Sequence, residues 1–202
     1  MSKVIARFFL LTIALLSLGI PIGAETGKLV NKNGKLSVES DLFQITQPAY
    51  YLSVKQLPKN SPQWQIHKQI KCLADNIYYE AGGEPELGKI AVARVTMNRV
   101  HSGKFADSVC GVVYQGSEAK PTRTNVSCQF SWTCYRDQIK KPVDTVWRRC
   151  YEIAAQVVLQ DAHAEVLPGV YFFHADYAQV HYKLAYVEQI GHHLFYRRPG
   201  DN

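Results

Sequence analysis

A single carboxylate stands between two aromatic residues and two glycines in the stretch "NIYYEAGGEPEL". We expect the rings of Tyr78 and Tyr79 to exclude water from Glu80, and we expect the negative end of the preceding helix to disfavour its charge. Both effects raise the pKa of a carboxyl group, and a carboxylic general acid requires a raised pKa. The pattern therefore predicts that Glu80 donates a proton.

Two further carboxylates, Glu84 and Glu86, follow the glycine pair. They lie at the start of the next predicted helix, where the helix dipole favours the ionised form. The sequence thus predicts opposite environments on the two sides of the glycines, a contrast that divides acid from base roles. The alternative is that Glu80 has a structural role, as a cap or as the partner of an arginine such as Arg94 or Arg99.

Helical periodicity places Glu80 at the joint between two helices. The first helix is predicted from about residue 63 to residue 79, because apolar residues recur three and four positions apart: Ile66, Ile70, Leu73 and Ile77. Pro85 suits the first position of the second helix. That helix is predicted to reach about residue 100 and to bury Leu87, Ile90, Ala91 and Val95.

The rest of the chain predicts one more long helix and a small sheet. The third helix is predicted over residues 146–160, with Cys150, Ala154 and Val157 inward. The stretch between the second and third helices is predicted to be loop and short extended segments. The segments "GVYFFHA" and "AYVEQIGHHLFYR" alternate apolar and polar residues, which indicates antiparallel strands. The fold class predicted is α+β, with helices plus a small antiparallel sheet.

The composition is that of one globular domain with a core. The chain has 202 residues, of which 47% are hydrophobic and 20% are charged, and its formal net charge is +6. A modest basic excess suits an anionic polymer or surface. The lysines and arginines are scattered and no nucleic-acid-binding motif is present, so we expect no nucleic-acid partner.

The N-terminus has the features of an export signal. Lys3 and Arg7 precede the apolar run Phe8–Leu18, which is short for a membrane span, and Ala24 offers a cleavage site. We predict a signal peptide at 1–24, a polar tether at 25–62 and one domain at 63–202. The alternative is an uncleaved N-terminal anchor. Both versions place the domain in the periplasm or cell envelope, and cleavage leaves no membrane span in the mature chain.

Five cysteines agree with an oxidising compartment. An odd number leaves at least one without a partner in the chain. The pairing stays open: Cys128 and Cys134 would close a short loop, and Cys72 could equally be a buried thiol on the apolar side of its helix.

Five segments in order resemble the SleB/CwlJ-type cell wall hydrolases, the spore-cortex-lytic enzyme family. They are "ADNIYYEAGGEPELGKIAVARVTMNRV", "SVCGVVYQ", "CQFSWTC", "YFFHADY" and "IGHHLFYR", and together they cover the chain from about residue 72 to residue 198. The resemblance implies a single domain related to lysozyme-like lytic transglycosylases, acting on the glycan strands of peptidoglycan. The family's catalytic glutamate in its "YxEA" element corresponds to Glu80.

The residue types around these motifs suggest a sugar-binding role for six further side chains. An amide, a hydroxyl and an indole in "CQFSW" suit polar contacts and stacking on a pyranose, although the tryptophan could equally belong to the core. Tyr79 is expected to pack beside Glu80, and the last two candidates lie in "FFHADY". The predicted substrate-binding residues are Tyr79, Gln129, Ser131, Trp132, His174 and Asp176.

One carboxyl group is enough for a lytic transglycosylase, whereas a typical glycoside hydrolase needs two. Glu80 would protonate the glycosidic oxygen and then accept a proton from the C6 hydroxyl of N-acetylmuramic acid, which closes a 1,6-anhydro ring. Water could instead trap the cation, which would give muramidase activity. This chemistry requires no cofactor and no metal.

Two other functions are alternatives to a glycan-cleaving enzyme. The first is a zinc peptidase that uses His174, Asp176, His181 and the pair His192-His193, although no HExxH helix is present. The second is a non-catalytic module that binds peptidoglycan through basic and aromatic residues. Protein partners cannot be inferred from the sequence.

Overall fold

The computed structural model describes residues 58–117, 128–135, 144–178 and 183–200. The signal peptide predicted at 1–24 and nearly all of the tether predicted at 25–62 lie outside these ranges. Within them the chain forms five helices and one three-stranded sheet. The predicted α+β class, with helices plus a small antiparallel sheet, is confirmed.

Two long helices meet at the glycine pair. Helix α1 spans Pro62–Ala81, and Ser61 caps its start by accepting a hydrogen bond from the Trp64 amide at 3.2 Å. Helix α2 spans Glu86–His101. Both lie within about two residues of their predicted bounds, so Glu80 occupies the last turn of α1.

Helix α2 is buried on almost all sides because it lies between two layers. One side belongs to the main core, which it shares with α1, and the other packs on residues of the sheet, where Ala91 and Val95 contact Phe195. The predicted burial of Ala91 and Val95 is confirmed. The predicted burial of Leu87 is wrong: it is 49% exposed, since the first turn of α2 lies at the margin of the core.

Three more helices complete the helical layer: α3 (Val109–Val113), α4 (Ser131–Cys134) and α5 (Asp144–Gln160). Helices α3 and α4 fall where only loop or extended segments were predicted. Helices of five and four residues are too short to show a helical period in sequence. Helix α5 confirms the third predicted helix, and its residues Cys150, Ala154 and Val157 are fully buried.

The sheet contains β1 (Phe172–Ala175), β2 (Ala185–Ile190) and β3 (His193–Arg197), in the spatial order β1-β3-β2 with antiparallel pairing throughout. The turn between β2 and β3 contains Gly191 at φ +58°. A Cβ atom at this position would collide with the carboxylate of Glu84. Glycine is therefore favoured here by its left-handed backbone conformation, and a larger residue would also displace the Glu84 carboxylate.

Two disulfides decide the pairing that the sequence left open. Cys72–Cys110 joins α1 to α3, and Cys128–Cys134 brackets α4, while Cys150 is a buried free thiol. The interpretation of Cys72 as a buried thiol is therefore wrong. None of the helices in the described ranges combines the length and apolar character needed to cross a bilayer.

Candidate active site

Glu80 is a carboxyl group whose environment disfavours charge. It lies in the last turn of α1 and is partly buried. Burial raises the pKa of Glu80 to about 7, while the positive charge of Arg99 acts in the opposite direction. The raised pKa expected from the sequence is thus found, and a large fraction of the group carries a proton at neutral pH.

Arg99 is the fixed positive charge of this site. The Nε atom of Arg99 donates a hydrogen bond to the Tyr171 carbonyl at 2.8 Å, and its guanidinium lies 5.4 Å from the Phe105 ring centre and 4.9 Å from that of Phe130. The side chain is buried, and its Nη1 atom has no hydrogen-bond partner within the described ranges. Burial lowers the pKa of Arg99 to about 10, which still leaves it charged at neutral pH.

The alternative role for Glu80, as the partner of an arginine, is met only by the electrostatic effect of Arg99 and not by a direct ion pair. Arg94 pairs with Asp161 at 2.5 Å and also donates to the Ala162 carbonyl at 3.4 Å. Within the part of the chain that the structure describes, Glu80 forms no ion pair with Arg94 or with Arg99. The carboxyl group of Glu80 is therefore not held by a direct ion pair with either arginine.

Tyr79, the residue that precedes Glu80, stacks on the ring of Trp132. Their ring centres are 4.6 Å apart, and the indole Nε1 donates to the Asn76 side chain at 3.0 Å. Trp132 is only 8% exposed. Of the two interpretations given for Trp132, the placement favours a core residue that supports Tyr79 over an open surface for stacking on a sugar.

Gln129 and Ser131 flank Phe130, the ring that contacts the Arg99 guanidinium. The backbone N–H of Gln129 donates a hydrogen bond to the backbone carbonyl of Gln115 at 2.9 Å, which fixes this segment of the backbone. The Gln129 side chain is partly exposed and Ser131 is exposed. The two predicted residues therefore lie on either side of the residue that contacts Arg99, and both keep solvent-accessible surface.

His174 and Asp176 lie at the end of β1. The Nε2 atom of His174 is 3.0 Å from the Tyr196 hydroxyl. A carboxylate oxygen of Asp176 is 3.1 Å from Nδ1 of His192, and this contact raises the pKa of His192. Glu84 accepts a hydrogen bond from the His192 amide at 2.9 Å. Glu84 therefore holds the β2–β3 turn against the joint of the two helices, and Asp176 ties the same turn to the end of β1.

Glu86 behaves as the sequence predicted, with a different main cause. Its carboxylate forms a double contact with Arg149 of α5, at 2.5 Å and 3.1 Å. This hydrogen bonding, more than the helix dipole, lowers the pKa of Glu86. Glu86 is ionised at neutral pH and ties the start of α2 to α5.

Sequence reasoning named Arg99 only as an alternative partner for Glu80 and did not include it in the site. A signal was present, because Arg99 lies four positions after Val95 on the face of α2 that was predicted to be buried. A charged residue on a buried helical face requires a partner or a function. The effect of the Arg99 charge on Glu80 is consistent with a function.

No cluster of three or more histidine, cysteine, aspartate or glutamate side chains that could hold a metal ion occurs within residues 58–117, 128–135, 144–178 and 183–200. His181, one of the residues weighed as a zinc ligand, lies outside these ranges.

Comparison with known proteins identifies related sequences. A family model described as Cell Wall Hydrolase matches residues 83–196, so that Glu80 lies just before the matched segment. The spore cortex-lytic enzyme of Oceanobacillus iheyensis is 43% identical over 56 residues, which is 28% of this chain and 20% of that protein. The spore cortex-lytic enzyme of Bacillus subtilis is 36% identical over 72 residues, or 36% of this chain and 24% of that protein. The matches thus span a quarter or less of these relatives.

Two solved structures are also similar. The catalytic domain of the Bacillus cereus SleB protein is 21% identical, with a TM-score of 0.46, and the alignment covers 70% of this chain and 95% of that one. The catalytic domain of a germination-specific lytic transglycosylase, SleB from Bacillus anthracis, is 25% identical, with a TM-score of 0.44 and coverage of 70% and 100%.

Proposed function

This chain belongs to the cell wall hydrolase family, and from that premise we propose that it cleaves the glycan strands of peptidoglycan with Glu80 as acid and then base. The observation that carries the proposal is the state of Glu80: a partly buried carboxyl group with a pKa of about 7 and no ion pair among the described residues. Such a group holds a proton at neutral pH and is able to release it.

The proposed reaction breaks the β-1,4 bond between N-acetylmuramic acid and N-acetylglucosamine. Glu80 gives its proton to the bridging oxygen as the bond to C1 of the muramic acid breaks. The resulting carboxylate then takes the proton of the C6 hydroxyl, whose oxygen bonds to C1 and closes the 1,6-anhydro ring. Glu80 ends the cycle protonated. The buried charge of Arg99 stabilises the carboxylate between the two steps.

The neighbouring carboxylates favour a mechanism with one acid. A two-carboxylate hydrolase needs a second carboxyl group a few ångströms away on the other side of the bond. Glu84 holds the His192 amide, and Glu86 is bound to Arg149. Both carboxylates are therefore engaged in hydrogen bonds that hold the fold, and neither is assigned as the second carboxyl group. If water takes the place of the C6 hydroxyl, the same site acts as a muramidase, and the products distinguish the two reactions.

Of the six predicted substrate-binding residues, some contact the sugar in this proposal and others support the shape of the site. Gln129 and Ser131 have solvent-accessible surface on either side of Phe130 and provide polar contacts to the sugar. Tyr79 lines the site beside Glu80, and Trp132 supports it from behind. The last two, His174 and Asp176, shape the adjoining sheet and turn through their contacts with Tyr196 and His192.

The domain organisation and location follow from the same proposal. We infer a signal peptide at 1–24, a tether at 25–62 and a catalytic domain at 63–202 with a lysozyme-like architecture, acting outside the cytoplasm in the periplasm or cell envelope. The basic start at Lys3 and Arg7, the apolar run after them and the two disulfides support export.

Digestion of purified sacculi tests the proposal. The wild-type chain and the Glu80→Gln variant are incubated with sacculi, and the released fragments are analysed by mass spectrometry. Anhydromuropeptides from the wild type alone are the expected result. Reducing ends would indicate the muramidase reaction. Free peptides whose release stops on addition of EDTA would show a zinc peptidase, and binding to sacculi with no release would show a non-catalytic module. Either of the last two results would overturn the proposal.

A further inference from the structure

Three aromatic residues form one line across the sheet, with one residue on each strand. Phe172 of β1 is paired with Tyr196 of β3, and Tyr196 is paired on its other side with Tyr186 of β2. Directly paired residues project from the same face of a sheet. The three rings therefore share one face, and we refer to Phe172, Tyr196 and Tyr186 as the aromatic row.

The aromatic row lies on the face of the sheet turned away from α2. Phe195, the neighbour of Tyr196 on β3, is fully buried in the core that the sheet shares with α2. Because successive residues of a strand point to opposite faces, Tyr196 and its partners point to the other side. Tyr186 is 58% exposed. Phe172 and Tyr196 are half-buried, so the row is most open at Tyr186. Aromatic side chains grouped on a solvent-facing side of a sheet are typical of a binding surface.

Neighbouring side chains hold the rings of the row in place. The His174 ring stacks on Tyr196 at 5.1 Å, and its Nε2 atom is 3.0 Å from the Tyr196 hydroxyl. Tyr186 packs edge-on against Tyr196 at 5.8 Å. Rings that are already ordered lose little conformational entropy when a ligand binds.

One end of the row leads to the proposed acid. Phe172 is 6.4 Å from Phe105, and Phe105 contacts the guanidinium of Arg99, whose charge acts on Glu80. From this end the row crosses the sheet to the exposed ring of Tyr186. Because β1 is an edge strand of the sheet, a ligand long enough to pass around this edge from the Glu80 site would reach the row.

A glycan strand has the chemistry that fits this surface. Each pyranose ring presents an apolar face of C–H groups, and the repeat of sugars along a strand matches a repeat of aromatic rings along a row. Basic groups stand at the same end of the sheet: Arg198 lies 5.7 Å from the Phe172 ring and Lys104 lies 5.5 Å from the Tyr171 ring. They complement the carboxylates that muramyl peptides carry.

We propose that the aromatic row is an extended subsite that binds the peptidoglycan glycan strand beyond the sugars that are cut. The inference rests on the proposed glycan cleavage and adds its substrate-binding path. The row contributes binding energy that is present before and during the reaction, so its loss raises KM and leaves kcat unchanged.

Kinetics on soluble, peptide-free glycan strands test this inference. The chain variants are Tyr186→Ala, Tyr186→Phe, which keeps the ring, and Tyr177→Ala, which removes a still more exposed tyrosine outside the row. For Tyr186→Ala we expect a KM on long strands about three- to tenfold above wild type with unchanged kcat. The other two variants should match the wild type. On strands too short to reach the sheet, all four proteins should agree, and thermal unfolding confirms that each variant is folded.

The outcomes separate this inference from the proposed function. If the wild type cleaves strands and Tyr186→Ala keeps a KM within twofold of wild type, the row is not a subsite, although the cleavage proposal stands. If the effect occurs only on peptide-bearing strands, the row binds stem peptides and the glycan assignment is wrong. If the wild type releases nothing, the cleavage proposal fails. Co-sedimentation with strands then decides the row alone, and equal binding by wild type and Tyr186→Ala overturns it.

Discussion

The carboxylates before and after the glycine pair have opposite surroundings although only a few residues separate them. Glu80, at the end of α1, has no ion pair among the described residues, and burial raises its pKa to about 7. Glu86, at the start of α2, is bound to Arg149, which lowers its pKa. Glu84 accepts a hydrogen bond from the β2–β3 turn. Tertiary partners, more than residue type or helix position, therefore decide which of these carboxyl groups is neutral and which is ionised at neutral pH.

Removal of the Glu80 proton is expected to have the largest effect. Glu80→Gln keeps the size of the side chain and cannot donate a proton, so the rate of product release from sacculi should fall by at least about 100-fold. The matched control is Glu86→Gln, which removes an exposed ion pair and should leave the rate within about twofold. A comparable loss of activity in both variants would break the contrast between the two regions.

The second prediction concerns the pH dependence of stability. The pKa of Glu80 is about 7 in the folded chain, against 4.5 for an unperturbed glutamate, so the folded state binds more protons between these values. The free energy of unfolding should therefore be highest below pH 4.5 with respect to this group, and it should fall by up to about 3 kcal/mol as the pH rises through 7.

Urea unfolding of wild type and Glu80→Gln at pH 5 and pH 8 measures this contribution. Taking the difference between the two proteins removes the contributions of histidines that titrate in both. An equal change in the free energy of unfolding for both proteins would show that Glu80 is not held in a site that disfavours its charge.

Sequence periodicity predicted the elements that carry Glu80 because long amphipathic patterns survive in sequence. The bounds of α1 and α2 and the two strand-forming segments were correct to within a few residues. The joint also placed Glu80 in the last turn of α1. Periodicity misplaced Leu87, because it cannot tell which turn of a helix projects beyond the core.

Contacts between residues that are far apart in the chain could not be predicted from the sequence. Arg99 acts on Glu80 across 19 positions, and Glu84 meets His192 across 108. The pairing of Cys72 with Cys110 also depends on how α1 and α3 pack. Such contacts are set by the tertiary arrangement of elements, and no local pattern encodes them.

The charge of Arg99 is expected to set the pH range in which the chain is active. A general acid works only while protonated, so the rate should fall as the pH rises through about 7. Arg99→Met removes the charge that favours the Glu80 carboxylate, and the alkaline limb of the pH–rate profile should move up by about one pH unit. Arg99→Lys keeps the charge and should leave the limb near its wild-type position. An unshifted limb in Arg99→Met would show that Arg99 does not act on Glu80.

The smallest effect is expected at Glu84. Glu84→Ala removes the acceptor of the His192 amide, and the free energy of unfolding should fall by about 1 kcal/mol. Glu84→Gln retains an oxygen that can accept the bond and should cost less. Chemical denaturation of the three proteins gives the values. If folded Glu84→Gln loses as much kcat as Glu80→Gln does, Glu84 takes part in the reaction. The two carboxyl groups would then not differ in function.

Direct titration of the Glu80 carboxyl group is the sharpest test of the central claim. The side-chain carboxyl carbons of ¹³C-labelled protein are followed by NMR from pH 3 to pH 9, and the Glu80→Gln spectrum identifies the Glu80 signal. The predicted result is a midpoint near pH 7, well above that of Glu86. A midpoint near 4.5 for Glu80 would mean that the group is an ordinary carboxylate at neutral pH, and it would contradict its role as the proton donor.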